Sequence, residues 1–382
     1  MSSEWRHVRI DEIADVVGGG TPKTGEPDYW DGDIGWISPR DLSSHSARYI
    51  SRGARSITAR GLHESSAQLL PAGTVLVSSR APIGYVAIAE QPLATNQGFK
   101  SLVLGQGCLP EFYYYVMSTM KPMMEAVAGG STFKEISGRV MKALVVPHPP
   151  LDEQRAIAEV LGSIDDRIEW CKALASQLLE LTRAHHRLRC EASSKSVSIG
   201  DCAAVYFGAP YDSAQFNTKR IGKPLIRIRD IDALDASVYT TQTHRAEVQI
   251  APGDIVVGMD GEFRAHLWRG PLAVLNQRVC TFRPVDPNRT VDLLHALEEP
   301  LKISEASISG TTVSHLGKRH IDDFILTMPS ESSGSLMEAT AKIALLGSEI
   351  RMLTEMRRAL LSHLVSGDVR IQNPERLIGQ VQ

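Results

Sequence analysis

Apolar residues follow two different rhythms along this chain. Short β-branched runs at Thr74–Val77, Tyr85–Ala89, Ser101–Leu104, Asp254–Val257 and Val279–Phe282 are broken by Gly, Pro and Asn, a pattern that predicts strands joined by tight turns. Helical pieces are expected at Pro110–Met124 and Val291–Leu301. From Leu151 the rhythm changes: Ile157, Leu161, Ile164, Ile168, Cys171, Ala175 and Leu178 fall on alternating steps of four and three, a heptad seam that continues less strictly to Leu188. Pro149-Pro150 stops the preceding strand, Asp152 and Glu153 suit a first turn, and Arg183, Arg187 and Arg189 suit a last one. A helix over Leu151–Arg189 is about 58 Å long at roughly 1.5 Å per residue, too long to be the side of one compact domain. A second seam, Ile343, Leu346, Ile350, Leu353, Leu360 and Leu364, predicts a helix from about Leu336 to Val365, stopped by Gly367.

The chain also repeats itself. Pro71-Ala72-Gly73-Thr74-Val75-Leu76-Val77 is answered by Ala251-Pro252-Gly253-Asp254-Ile255-Val256-Val257, so that Gly73 maps to Gly253, 253 − 73 = 180 positions on. Asn96-Gln97 maps to Asn276-Gln277 and Gly130-Ser131-Thr132 to Gly310-Thr311-Thr312 at the same offset of 180. The helical seams match at 343 − 157 = 186, so the linker before the second helix is expected to have grown, within Ser330–Ser335. Two equivalent halves, each an α+β domain followed by a long helix, predict a pseudo-twofold molecule whose two seams bury each other by running antiparallel.

With 382 residues and 43% apolar content the chain can fill proper cores. No run reaches the eighteen or so apolar residues needed to span a bilayer, and Met1–His7 lacks a signal-peptide core, so a cytoplasmic protein is expected. Five scattered cysteines without CxxC spacing predict buried thiols rather than a disulfide framework or zinc site. A net charge of −3 does not announce a nucleic-acid binder. Basic residues do cluster, at Arg52, Arg55 and Arg60, at Lys219, Arg220, Lys223, Arg227 and Arg229, and at Lys318-Arg319-His320, though on charge alone ordinary solvated faces account for such clusters better. Catalytic signatures are missing from the sequence: no GxxxxGK[ST], HExxH or GxSxG, no Asp/Glu-x-Lys, and no Asn/Asp-Pro-Pro-aromatic segment. His185-His186, near the end of a basic helix, are expected to face solvent.

Several segments together resemble a known family. Gly18-Gly19-Gly20-Thr21-Pro22, Tyr29–Leu42 with its Trp36-Ile37-Ser38-Pro39-Arg40-Asp41-Leu42, Ser79–Gly84, Asn96-Gln97-Gly98 and Gly130–Ile136 look like a target-recognition domain in the specificity subunit of type I restriction-modification systems. Pro147–Ile168 is similar to that family's central helical region and Leu360–Ile371 to its carboxy-terminal end. The second half departs most: Phe207-Gly208-Ala209-Pro210 replaces the glycine-rich opening, and Leu225–Ile231 stands where the tryptophan segment was.

The resemblance implies two sheet-rich recognition domains, residues 1–150 and 195–332, with long helices at 151–194 and 333–370 and a tail at 371–382. It implies a non-catalytic chain that reads a bipartite, asymmetric double-stranded DNA target. Two methyltransferase subunits and motor-nuclease subunits would be its partners, with S-adenosylmethionine, ATP and Mg carried by them and no cofactor or metal held by this chain. Turn-borne polar residues are the candidates for DNA contact: Thr21, Lys23, Arg40, Arg80 and Lys134 in the first half, Lys219, Arg220, Arg227, Arg229, Arg264 and Lys318 in the second. Asn96-Gln97 and Asn276-Gln277, shared by both halves, are expected to serve the fold. Seam residues Ile157, Leu161, Ile164, Ile168, Ile343 and Ile350 are candidates for partner docking. A recognition subunit of a type IIB-like system, or a coiled-coil scaffold that does not touch DNA, are the alternatives.

Overall fold

A computed structural model describes residues 5–43, 45–130, 134–308 and 315–371. The chain divides into two compact units, residues 1–169 with 354–382, and residues 170–353.

In the first unit, a five-stranded sheet runs in the order Ala14–Gly18, Lys100–Leu104, Val75–Val77, Val86–Ala89, Tyr49–Ile50, and a three-stranded sheet in the order Arg55–Ile57, Trp30–Ile37, Leu93–Thr95. The expected strands are present, shifted by a residue or so. The helix expected at Pro110–Met124 is broken at Met120 into Pro110–Thr119 and Lys121–Val127, with Pro122 in the first turn of the second piece. Its first piece carries Phe112, Tyr113, Tyr115, Val116 and Met117 into a core completed by Ile157, Val160, Leu161, Leu364 and Val365. Buried Gln154 ties the start of the long helix down: its amide donates to the carbonyls of Pro149 and Gly107 at 2.9 and 3.0 Å, and its Oε1 accepts from Leu109 N–H at 2.8 Å. Deeper in, Asp165 accepts from the Tyr115 hydroxyl at 2.7 Å and pairs with Arg357 at 2.5 Å. Burial pushes this carboxyl above its ordinary range, and the arginine only partly offsets that.

The second unit repeats the plan. Strands Ala203–Phe207, Val279–Pro284, Ile255–Gly258 and Ala265–Leu267 lie in the order of the first four strands of the five-stranded sheet above. A second sheet again contains one parallel pair: Leu225 and Ile226 on Val274 and Leu275, as Gly35–Ile37 lie on Leu93–Thr95. The helix expected at Val291–Leu301 is two helices, Thr290–Ala296 and Glu298–Ile308.

Both long helices form, over Leu151–Ala192 and Gly334–Ser366, and Gly367 at φ 81° ends the second. Within the second unit they run antiparallel: Cys171 and Ala175 cluster with Leu346 and Ile350, and Leu178 joins Ile343. The seam from Ile157 to Ala175 is buried as expected. Beyond it the expectation fails, because Leu181 and Leu188 are exposed and the buried stripe passes instead through Thr182 and His186. His186 is therefore not solvent-facing. It lies 3.1 Å from Asp292, which also accepts from Arg189 at 2.9 and 3.1 Å, while Thr182 meets His295 at 3.0 Å. Burial pushes the fully enclosed Asp292 carboxyl up, yet His186 and Arg189 more than compensate and hold it below the usual range. A polar residue can continue an apolar seam when each buried group finds a partner. Of the cysteines, Cys171 and Cys280 are buried, whereas Cys108, Cys190 and Cys202 are only half-buried.

Candidate nucleic-acid interface

In the first unit the turn Asn96-Gln97-Gly98 is a hub. Its backbone is fixed by Asn96 N–H donating to Ile37 carbonyl at 2.9 Å and by Gly98 N–H donating to the Asn96 side chain at 2.8 Å. The glycine-rich opening folds against it: Gly20 N–H donates to Thr95 at 2.8 Å and the Thr21 hydroxyl donates to Gln97. A Cβ on Gly19 would fall 2.0 Å from the Asn96 carbonyl oxygen, so only glycine lets the two segments approach. Trp36 donates its indole N–H to Gly20 and Trp30 donates to Lys23, at 2.9 and 3.1 Å. The tryptophan segment thus shapes this opening.

Three further segments converge on the hub. Gly98 lies against Pro39, which begins the short helix Pro39–Ser43 carrying exposed Arg40. Ser79 N–H donates to Gly98 carbonyl at 2.7 Å, and Ile136 N–H donates to Ser79 carbonyl at 2.9 Å. Arg80 and Glu135 face each other across this bridge, with Nε donating to Oε2 at 2.9 Å, while Lys100 Nζ reaches Oε1 of the same carboxylate at 3.4 Å. Lys134 is exposed beside Glu135. The structure therefore gathers Thr21, Arg40, Arg80 and Lys134 at one rim, with exposed Lys23 in the opening loop. The other basic residues here are already engaged: Arg55 stacks 3.4 Å above the Trp30 ring and Arg60 pairs with Asp28 at 3.1 Å. Ser131 and Thr132 of the first shared turn lie outside the described residues, as do Gly310, Thr311 and Thr312 of the second.

The second unit builds the same hub from other residues. Asn276 N–H donates to Ile226 carbonyl at 3.0 Å, and a Cβ on Gly208 would fall 2.2 Å from the Asn276 carbonyl oxygen. Met259 N–H donates to Arg278 carbonyl at 2.9 Å, and Leu316 N–H to Met259 carbonyl at 2.7 Å. These are the two backbone bonds of the first unit moved on by 180: 79 to 259, 98 to 278, 136 to 316.

The second-unit candidates scatter more widely. Lys318 is exposed at the start of the short helix Lys318–Asp322, close in sequence to this rim. Lys219 and Arg220 sit exposed in the turn before strand Lys223–Ile226, Arg220 at φ 59°. Arg229 is exposed on the helical turn Ile228–Ile231. Arg227 is otherwise occupied. Its Nε donates to buried Asp230 at 3.0 Å and its Nη2 to Ser237 at 2.5 Å, and Asp230, pushed up by burial, is held below the carboxylate range by its bonds from Arg227 and Ser237. Arg264 pairs with Glu262 at 2.5 Å and lines a cleft with Arg183 and Arg187 of the central helix, away from the hub.

Sequence reasoning passed over Arg278, Asp260 and His315, although the offset of 180 carried from Arg80 and Glu135 points to the last two. Nor are the seam residues available as docking contacts. Ile157, Leu161, Ile164, Ile168 and Ile343 are buried and Ile350 half-buried in this chain's own packing.

Residues 2–180 match the type I restriction modification DNA specificity domain. The chain therefore carries, over those residues, a specificity domain of the type I restriction-modification kind. It is 46% identical over 171 residues to the MjaIX specificity subunit of Methanocaldococcus jannaschii, covering 44% of this chain and 40% of that protein. Over 196 residues it is 30% identical to the EcoBI specificity subunit of Escherichia coli, covering 49% and 41%. The chain thus spans about two fifths of the length of these curated relatives. The likeness of fold extends further. The crystal structure of a type I S subunit from M. genitalium covers 99% of this chain and 96% of its own, with a TM-score of 0.52 at 17% identity. Among the described residues no helix is long and apolar enough to cross a membrane.

Proposed function

We propose that this chain is the non-catalytic DNA-reading subunit of a type I restriction-modification complex, and that each of its two recognition domains reads one part of a split duplex target. One observation carries the reading: two units share the same hub, with two of its backbone bonds repeated at an offset of 180, yet line it with different polar residues. A common frame with unlike lining is what two readers of unlike sequence need, because base edges are distinguished by donor and acceptor pattern. Basic groups gathered on turns suit phosphate and base contact even at a net charge of −3. Methyl transfer and DNA translocation then fall to partners, two methyltransferase subunits and the motor-nuclease subunits, which would bring S-adenosylmethionine, ATP and Mg. Docking falls to helix stripes other than the buried seams, where Leu181, Leu345 and Met352 are exposed.

The test is methylation of a randomised duplex library by the chain assembled with its cognate methyltransferase subunit, read by sequencing the modified bases. Two short specified blocks of different sequence with an unread gap are expected. A single uninterrupted or palindromic site, or methylation by the chain alone, would refute the reading.

A further inference from the structure

Arg80 and Glu135 are bridged across the first hub, and the positions 180 further on, Asp260 and His315, are bridged across the second. The side chains have exchanged roles. In the first unit the cation comes from position 80 and the carboxylate from position 135. In the second, position 260 supplies the carboxylate, which accepts from His315 Nδ1 at 2.7 Å and from Arg278 Nη1 at 3.3 Å. Arg278 itself stands where the first unit has Gly98, since 278 − 98 = 180.

The two guanidinium groups are held by different atoms. Glu135 takes Nε of Arg80, so Nη1 and Nη2 have no partner among the described residues, and the side chain is 45% exposed. Asp260 takes Nη1 of Arg278, so Nε and Nη2 are left without one, with the side chain 51% exposed. Each arginine therefore offers a parallel pair of N–H donors, end-on from Arg80 and side-on from Arg278. Glu135 is pinned by its own backbone bonds to Gly129, and Asp260 by the bonds of its neighbour Met259 to Arg278 and Leu316. Pairing reduces the charge each guanidinium can offer a phosphate, less so at Arg80, where Lys100 shares Glu135, but both keep two directed donors. Those fit an uncharged pair of acceptors, and in duplex DNA that pair is O6 and N7 of guanine in the major groove.

We propose, building on the recognition function above, that Arg80 and Arg278 are the equivalent specificity-determining residues of the two domains. Each reads one guanine, and Glu135 and Asp260 with His315 are the positioning residues that aim them. Because the donors leave the hub by different edges, the guanine should occupy a different place in each arm.

The experiment uses the full chain assembled with its cognate methyltransferase subunit and a pool of duplexes with randomised positions. Wild type should enrich one guanine in each arm that depends on these residues. Arg80→Lys should lower the preference for guanine at one position of one arm by roughly tenfold to a hundredfold. The other arm should be unchanged, which also shows that the variant is folded. Arg278→Lys should do the same in the opposite arm. Glu135→Gln and Asp260→Asn should weaken the same two preferences by a smaller factor, because the forks remain but are no longer aimed. Replacing the enriched guanine by 7-deazaguanine, which lacks the N7 acceptor, should cost wild type affinity and cost the matching lysine variant less.

Retention of both guanine preferences in the lysine variants overturns the proposal. So does an equal loss of affinity for all duplexes when either arginine is changed to glutamine, with a shallower salt dependence, since that marks a phosphate contact. A wild-type complex that enriches no sequence at all overturns the recognition function itself.

Discussion

Asp292→Asn should loosen the second unit where it grips the central helix. The native carboxylate is fully enclosed, and Arg189 and His186, which it binds, lie on that helix with side chains only 18% and 11% exposed. Asparagine keeps the shape but not the charge, so one buried cation loses its counter-ion. Breaking a buried pair from one side costs about 3–5 kcal/mol. The lower end applies here, because Arg189 retains a bond to the Glu331 carbonyl and the new amide oxygen can still accept. At roughly 1.4 kcal/mol per decade, about 3 kcal/mol corresponds to amide exchange about a hundredfold faster in any segment that opens with this contact. Hydrogen exchange read by mass spectrometry resolves this. The helix Thr290–Ala296 and the central helix near His186 should lose protection, while the strands Val75–Val77 and Lys100–Leu104 of the first unit should not. A change under about fivefold near Thr290–Ala296 would refute the argument that the ion network fastens the helix. An equal change in the first unit would refute its assignment to the second.

The same carboxylate gives a pH dependence. Its folded value lies below the ordinary 3.8, so its stabilisation is complete above that value and is lost as pH falls through the lower folded one. Acid unfolding of the second unit below about pH 4 should be shallower in Asp292→Asn than in wild type when followed by circular dichroism. Gly19→Ala and Gly208→Ala should each destabilise by about 1–3 kcal/mol or more, since the new methyl meets a backbone carbonyl oxygen at 2.0 and 2.2 Å. Gly18→Ala, with nothing within 4 Å, should not, and thermal melts compare the three. Arg227→Ala leaves buried Asp230 without its guanidinium partner and should cost about 2–3 kcal/mol in denaturant titration. Arg229→Ala, on an exposed side chain, should stay within about 0.5 kcal/mol and, if it has any effect, should alter DNA binding.

Both long helices and the repeat are legible in the residues alone. Heptad spacing needs only local periodicity, and Ile157, Leu161, Ile164, Ile168, Cys171 and Ala175 state it plainly enough that all six are buried. The shared register of 180 likewise survives as hydrogen bonds, because equivalent turns must be closed by equivalent backbone. Gly19 and Gly208 fall outside that register, 208 − 19 = 189 positions apart, and correspond only through their contacts with Asn96 and Asn276. Tertiary structure alone decided where the seam turned polar: Thr182 and His186 look like surface residues until Asp292 and His295, more than a hundred positions away, are brought to them. It decided too which arginines are free. Arg227 and Arg80 are both basic residues beside turns, but buried Asp230 and Ser237 take Nε and Nη2 of one, whereas Glu135 takes only Nε of the other. Charge and turn chemistry are local properties, and a side chain's partners are not. Arg278 was overlooked because its value depends on Asp260 and His315, which only the folded hub places beside it.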